Sequence, residues 1–351
     1  MGSLGTVRSG FTVVELLAVV GMIGVGGAMT SVAVRDAAGG AASAAQPEPE
    51  DRIEAIKQRL DAMRKQIDEI ESELDGLKAK RPAPLTEALA KARASARQLK
   101  DATQIRGIGQ ALIIWANQNQ GRYPLPSVID KAGTTVAGPA EAKDTTANIL
   151  SVLIWGGFIS TEMCISPAEA NGNIKAYEAF EFDNPKTAVQ PANAMWDPAF
   201  SADFTGKKPG NVSYAHLQPF QERLKYWADT FVTTEAVVSN RGPEIDRIDR
   251  GADGTLTPKP KNENSLTYLI HGPRDTWEGN IGFNDGHVDY QTRLIGNPKE
   301  GWPAYVNKED KQAPDVLFFD EADAKIPTAN LYLGIFTKSG KSLKDWNAIW
   351  D

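Results

Sequence analysis

The chain reads as an α+β protein: an N-terminal transmembrane helix, a coiled-coil or helical-hairpin stalk, and a head whose antiparallel sheet packs on a long helix. Three observations lead there. Residues 11–34 form one apolar run whose only ionisable side chain is Glu15. Residues 53–77 place apolar side chains at alternating spacings of three and four. From Gly121 onward, short apolar runs alternate with clusters of Gly, Pro, Asn and Asp. The first pattern has the length of a bilayer-crossing segment. The second is a helical seam and the third the mark of a mixed head.

Composition narrows the function classes. The 351 residues suffice for one large domain or two ordinary ones, and 41% apolar with 24% charged residues supports a packed core. A net charge of -7 leaves no basic surplus to neutralise phosphates, so nucleic acid is not the expected partner. The single cysteine, Cys164, excludes an intramolecular disulfide and reads as a small buried apolar residue.

The leader, residues 1–10, is short and polar, carries Arg8 and has no acid. Arg8 biases it toward the cytoplasm and the rest of the chain outward. An ordinary secretory signal cut after the apolar run, near "GGAMTSVA", is the competing reading. Glu15 argues against it. A carboxylate in the hydrocarbon region costs about 2.5–3.5 kcal/mol, and a signal peptide gains nothing in return. Cleavage between Gly10 and Phe11 would make Glu15 the fifth residue of the mature chain. Two such helices packed with an axial offset would pair the new amine of one with the carboxylate of the other.

"SGFTVVELLAVVGMIG" resembles the signal of type IV pilins and type II secretion pseudopilins. The resemblance implies cleavage after Gly10 by a prepilin peptidase, methylation of the Phe11 amine, and neutralisation of that amine by Glu15 of a neighbouring subunit. It also implies an assembly of copies of this chain with other pilin-like subunits, anchored in the bacterial inner membrane as a single pass. The head would face the periplasm or the cell surface. One departure is that no proline interrupts the segment before Pro47. Gly21, Gly24, Gly26 and Gly27 crowd it instead, which serves local melting or close helix contact.

Residues 37–50 are small, then Pro/Glu-rich, and read as a linker. The insertion 51–84 carries the seam Ile53, Ile56, Leu60, Met63, Ile67, Ile70, Leu74 and Leu77 before "RPAP" breaks it. In a parallel pair, Arg52 would meet Lys57 and Arg59 would meet Arg64, both like-charge contacts. An intrachain antiparallel hairpin with the next helix, 85–120, is therefore favoured over a parallel homodimer. That helix, with Ile108-Gly109-Gln110-Ala111-Leu112 and then Gly121-Arg122-Tyr123-Pro124, resembles the segment that follows the membrane helix in a large bacterial group of prepilin-like proteins.

In the head, 121–351, a short helix is expected over 147–160, ended by Gly156-Gly157. Strands are expected over 230–238, 265–270, 280–283, 287–292 and 331–336. Asn284-Asp285-Gly286 sits between two alternating segments and predicts a tight hairpin. It also resembles the Asp-Gly end of the same prepilin-like group, where a histidine precedes by about nine residues. Here the candidate is His271, with thirteen residues between it and Asp285. His287 and Asp289 share a strand face but lack a third metal ligand. "EIDRIDRGADGTL" offers Asp249 and Asp253 as weak calcium candidates. Gly251 and Pro260 occupy places where an EF-type loop needs oxygen ligands, so an acidic turn is the simpler reading. "NVS" at 211–213 matches a glycosylation acceptor, and Trp346 and Trp350 are placed to dock the tail. No catalytic motif occurs, so an enzyme is not expected, and no cofactor is implied beyond calcium. The alternatives are a monomeric anchored protein that captures a carbohydrate or other polymer, and an anchored enzyme with a degenerate site.

Overall fold

The computed structural model describes residues 49–76 and 83–351. The leader, Gly10, Phe11, Glu15, the apolar segment 11–36 and most of the linker lie outside the described residues. All described residues belong to one unit, Glu48–Asp351.

Two helices open it, α1 (Pro49–Gly76) and α2 (Ala83–Gln118). Lys100 Nζ meets the Asp68 carboxylate at 2.6 Å, and a Cβ on Gly107 would lie 3.3 Å from Leu60 Cδ1, so the two run antiparallel. The same Gly107 faces Met163, and Leu60 packs on the main core. Ile67 is buried, whereas Met63 and Ile70 are about two-fifths exposed. The seam is thus divided. Among the described side chains, Leu60 and Ile67 lie on the covered side and Met63 and Ile70 on the exposed one.

This corrects the stalk of the expected fold class. No free-standing helical stalk is formed, because Leu60 packs on the main core that a stalk would have held at a distance. Among the described residues, no helix is long and apolar enough to cross a membrane.

Beyond α2 come the one-turn helix α3 (Pro126–Ile129) and α4 (Thr146–Trp155). Thr145 caps α4 by accepting from the Asn148 N–H, and Gly157 follows its end at φ 70°. Ten strands follow: β1 (Tyr214–Leu217), β2 (Ala236–Asn240), β3 (Ile245–Arg250), β4 (Leu256–Pro260), β5 (Gly279–Phe283), β6 (Val288–Gln291), β7 (Ala304–Val306), β8 (Gln312–Pro314), β9 (Leu333–Lys338) and β10 (Asn347–Ile349). Six form an antiparallel sheet in the order β10-β9-β1-β2-β5-β6, and β3-β4 and β7-β8 are separate two-stranded ribbons.

Strands β1, β2 and β5 are buried at every position, so they show no in–out alternation. Helix α2 lies across β5 and β2, with Ile105, Ile108 and Leu112 wholly enclosed. Gly282 permits this approach: a Cβ there would stand 2.9 Å from Ile105 Cγ2. Residues 265–270, expected as a strand, form instead a 3₁₀ turn, Leu266–Leu269. The Ser265 hydroxyl captures the Thr267 N–H and begins that turn. The tail docks through Trp346, which meets the Phe336 ring edge-on at 5.4 Å.

Candidate functional site

Two fragments far apart in sequence meet beyond the end of α2. Gly121 ends the helix at φ 75°, and Tyr123 then turns inward, edge-on to Trp227 at 5.4 Å. Its hydroxyl donates to Asn284 Oδ1 at 2.7 Å. Asn284 Nδ2 in turn reaches Tyr226 O at 2.9 Å, Thr230 Oγ1 at 3.0 Å and Glu235 Oε2 at 2.9 Å. Burial, with the nearby charges of Asp229 and Glu235, pushes the Tyr123 phenol up, so it stays a donor. One buried amide thereby fixes the helix end, the β5–β6 hairpin and the loop before β2. Next to it, Gly286 takes φ 85°, and Asp285 accepts from the backbone N–H and Nδ1 of His287. The His287 ring stacks on Phe283 at 4.4 Å, while its Nε2 lies 3.7 Å from Asp289.

A second node lies about five turns before the end of α2. Asp101 is fully buried and accepts from Tyr214 Oη at 2.7 Å, Asn280 Nδ2 at 2.8 Å and His271 Nε2 at 2.9 Å. Burial alone would raise its carboxyl. The hydrogen bond and charge of His271, with Ser166 and Tyr214, hold it below the usual range. A carboxylate acceptor requires that His271 Nε2 carry a hydrogen. His271 lines a cavity of about 360 Å³ together with Ser95, Gln98 and Tyr290. Through Asp101, His271 and Asn280 tie α2 to the head, and Asn280 Oδ1 also accepts from Gln98. His271 therefore works at the helix face, away from the Asp-Gly turn that its place in sequence brought to mind.

A cavity of about 910 Å³ opens between the β3–β4 and β7–β8 ribbons. Asp253 lines it, with its carboxylate engaged by the Thr255 N–H at 3.0 Å and hydroxyl at 2.8 Å. Asp249 is held instead by Arg247 Nε at 3.0 Å. The two calcium candidates thus have separate partners. Among the described residues, no group of three His, Cys, Asp or Glu side chains is placed to hold a metal ion. Asn211 is no glycan acceptor as folded: it is buried and bonded to the Ser201 N–H and to Lys175 O. Burial pushes the Cys164 thiol up, out of the reactive range.

No family model, curated protein or solved structure matches the chain.

Sequence reasoning missed Asp101, Tyr214, Asn280 and Glu235. A signal existed for Asp101. It sits four, seven and eleven residues before Ile105, Ile108 and Leu112, so a carboxylate interrupts an otherwise apolar stripe. Tyr214 and Asn280 carry no local signal, because only strand pairing brings them to that helix.

Proposed function

We propose that the chain is a structural, prepilin-like subunit. It is cut after Gly10 and assembles with copies of itself and other pilin-like subunits through the segment beginning at Phe11. The segment anchors it in the bacterial inner membrane as a single pass, with the head in the periplasm or at the cell surface. The observation that carries this reading is Glu15, a lone acid at the fifth place of "FTVVE" inside an apolar run. The two nodes on α2 add support: the fragments similar to prepilin-like proteins, 92–126 and 280–291, form one hydrogen-bonded unit through Tyr123–Asn284 and Asp101–Asn280.

Peptide mass spectrometry on protein from its native membrane is the test. The expected mature chain begins at N-methylated Phe11, and a chain beginning near Ser31 or still at Met1 would end this reading. Glu15→Ala should abolish assembly and leave the head folded.

The second reading is a monomeric anchored protein that captures a polymer. The 910 Å³ cavity is the observation that favours it. There, Glu15→Ala would leave both capture and localisation unchanged.

A further inference from the structure

The cleft between the two ribbons has a sign of its own. The chain as a whole is acidic, with 45 acids against 38 lysines and arginines. The cleft wall reverses that balance: Arg250, Arg293, Lys308 and Lys311 stand against Asp253, Glu309 and Asp323.

Each acid has a partner within the protein, yet a carboxylate accepts up to about four hydrogen bonds and so keeps lone pairs open to a further donor. Asp253 is bonded by Thr255, Asp323 accepts from the Tyr305 hydroxyl at 2.7 Å, and Glu309 holds Lys311 at 2.8 Å. The cations are less engaged. Lys308 Nζ donates to a neutral carbonyl, Ala322 O, at 2.8 Å, and Arg293 reaches Glu300 only at 3.7 Å. Arg250 is exposed and makes no ion pair among the described residues; it faces Glu309 closely enough to lower its carboxyl, after the larger effect of Lys311. The floor between these groups is apolar, with Leu256, Ile295, Ala313 and Pro314.

A ligand suited to this wall carries anionic groups for a planar guanidinium, hydroxyl donors for the carboxylates, and flat apolar faces for the floor. An acidic peptide supplies the first but presents few hydroxyls to the three carboxylates. Nucleic acid supplies phosphates but, like the peptide, few hydroxyl donors for the carboxylates. We infer that the cleft between the β3–β4 and β7–β8 ribbons binds an acidic polysaccharide, with Arg250 and Lys308 as its principal anion-binding groups. A volume near the top of the ~300–1,000 Å³ range of ligand sites leaves room for several sugar units. This goes beyond the assembly reading and does not depend on it, because no residue of the cleft belongs to the amino-terminal segment.

The test is calorimetric titration of the full-length chain with oligogalacturonate, with neutral dextran and poly-glutamate as comparisons, at low and high salt. Oligogalacturonate should bind, weaken as salt rises, and lose at least ~10-fold in affinity in the double variant Arg250→Ala, Lys308→Ala. The single variant Arg250→Lys, which keeps the charge and loses the planar fork, should fall between. Both side chains are exposed, and Lys186→Ala, at an exposed site outside the cleft, serves as the folded control. Absence of binding, equal binding of neutral dextran, equal binding of poly-glutamate, or a double variant that binds like the parent would each overturn the proposal. Failure of Phe11 processing or of Glu15-dependent assembly would leave these outcomes unchanged, so the two readings fail separately.

Discussion

Arg223 has no exposed surface and lies among three carboxyl groups. Its Nη2 donates to Asp320 at 2.5 Å and to Asn330 Oδ1 at 2.7 Å, and its Nε to Asn330 O at 2.8 Å. Asp320 is the acid that pairs with it, which leaves Asp315 and Glu321 without a cation of their own. Burial pushes Asp315 up to about 7 and Glu321 well above its usual range, with the charge of Asp320 adding to the first and that of Asp315 to the second. Folded carboxyls that hold protons longer than unfolded ones stabilise fully below the unfolded value near 4. That contribution is lost as pH rises through about 7. His216 acts in the opposite direction. Its Nδ1 faces Leu217 O at 2.8 Å and so carries the hydrogen, while Nε2 accepts from the Thr146 hydroxyl at 2.8 Å. Burial pushes it down to about 4, so the folded state resists protonation and stability falls as pH drops from 6.5 through 4. At most about 3 kcal/mol is at stake on that side. The two carboxyls outweigh the one histidine, so urea midpoints should fall from pH 5 to pH 8. Asp315→Asn should flatten that fall, and His216→Gln should steepen it below pH 6.5. A midpoint curve with the parent's slope in either variant would refute the corresponding assignment.

At the scale of elements, the contact of α2 with the sheet rests on Gly282 and Asp101. A side chain at Gly282 would press on Ile105 Cγ2 at 2.9 Å and Val238 Cγ1 at 3.1 Å, so Gly282→Val should cost about 1–3 kcal/mol in chemical denaturation. Asp101→Ala removes the acceptor shared by Tyr214, Asn280 and His271, and should cost about 3–5 kcal/mol. A loss under 1 kcal/mol would mean that the node is idle. The same elements show how far the strands were legible. The β5–β6 hairpin could be read because alternating residues flank a turn that needs a glycine at φ 85°. Of the expected strand 230–238 only the end, 236–238, lies in β2: residues 230–235 form a loop in which Phe231 sits at φ 56° and Asn284 collects the acceptors. Ribbons β3–β4 and β7–β8 could not be read, because their polar residues cover an exposed ribbon and leave no apolar period.

For the molecule as a whole, α1 provides the discriminating experiment. Its seam is the strongest repeat in the sequence, yet it serves the head on one side only. Leu60→Ala with Ile67→Ala should cost about 2–4 kcal/mol, and Met63→Ala with Ile70→Ala no more than about 0.5 kcal/mol. Equal losses in the two double variants would show that the whole seam is covered in solution. A second long-range tie closes the chain: buried Arg241 pairs with Glu169 at 2.5 Å and with Asp351, joining a loop after α4 to the residue beyond β10.

By itself the sequence determined what local physics can state: an apolar run with one misplaced acid, a helical repeat, a glycine-dependent turn, and the absence of catalytic spacing. Those features depend on neighbours within a few residues and on the cost of burying a charge. Tertiary structure alone decided that the seam would fold onto the head, that His271 would serve Asp101, and that Asp249 and Asp253 would take separate partners. It also set a cleft between two ribbons that are far apart in sequence, 245–260 and 304–314. Each of those outcomes depends on groups brought together by strand pairing and helix packing across long stretches of chain. Their partners are chosen by burial and by the need to satisfy every enclosed donor and acceptor, which no local pattern records.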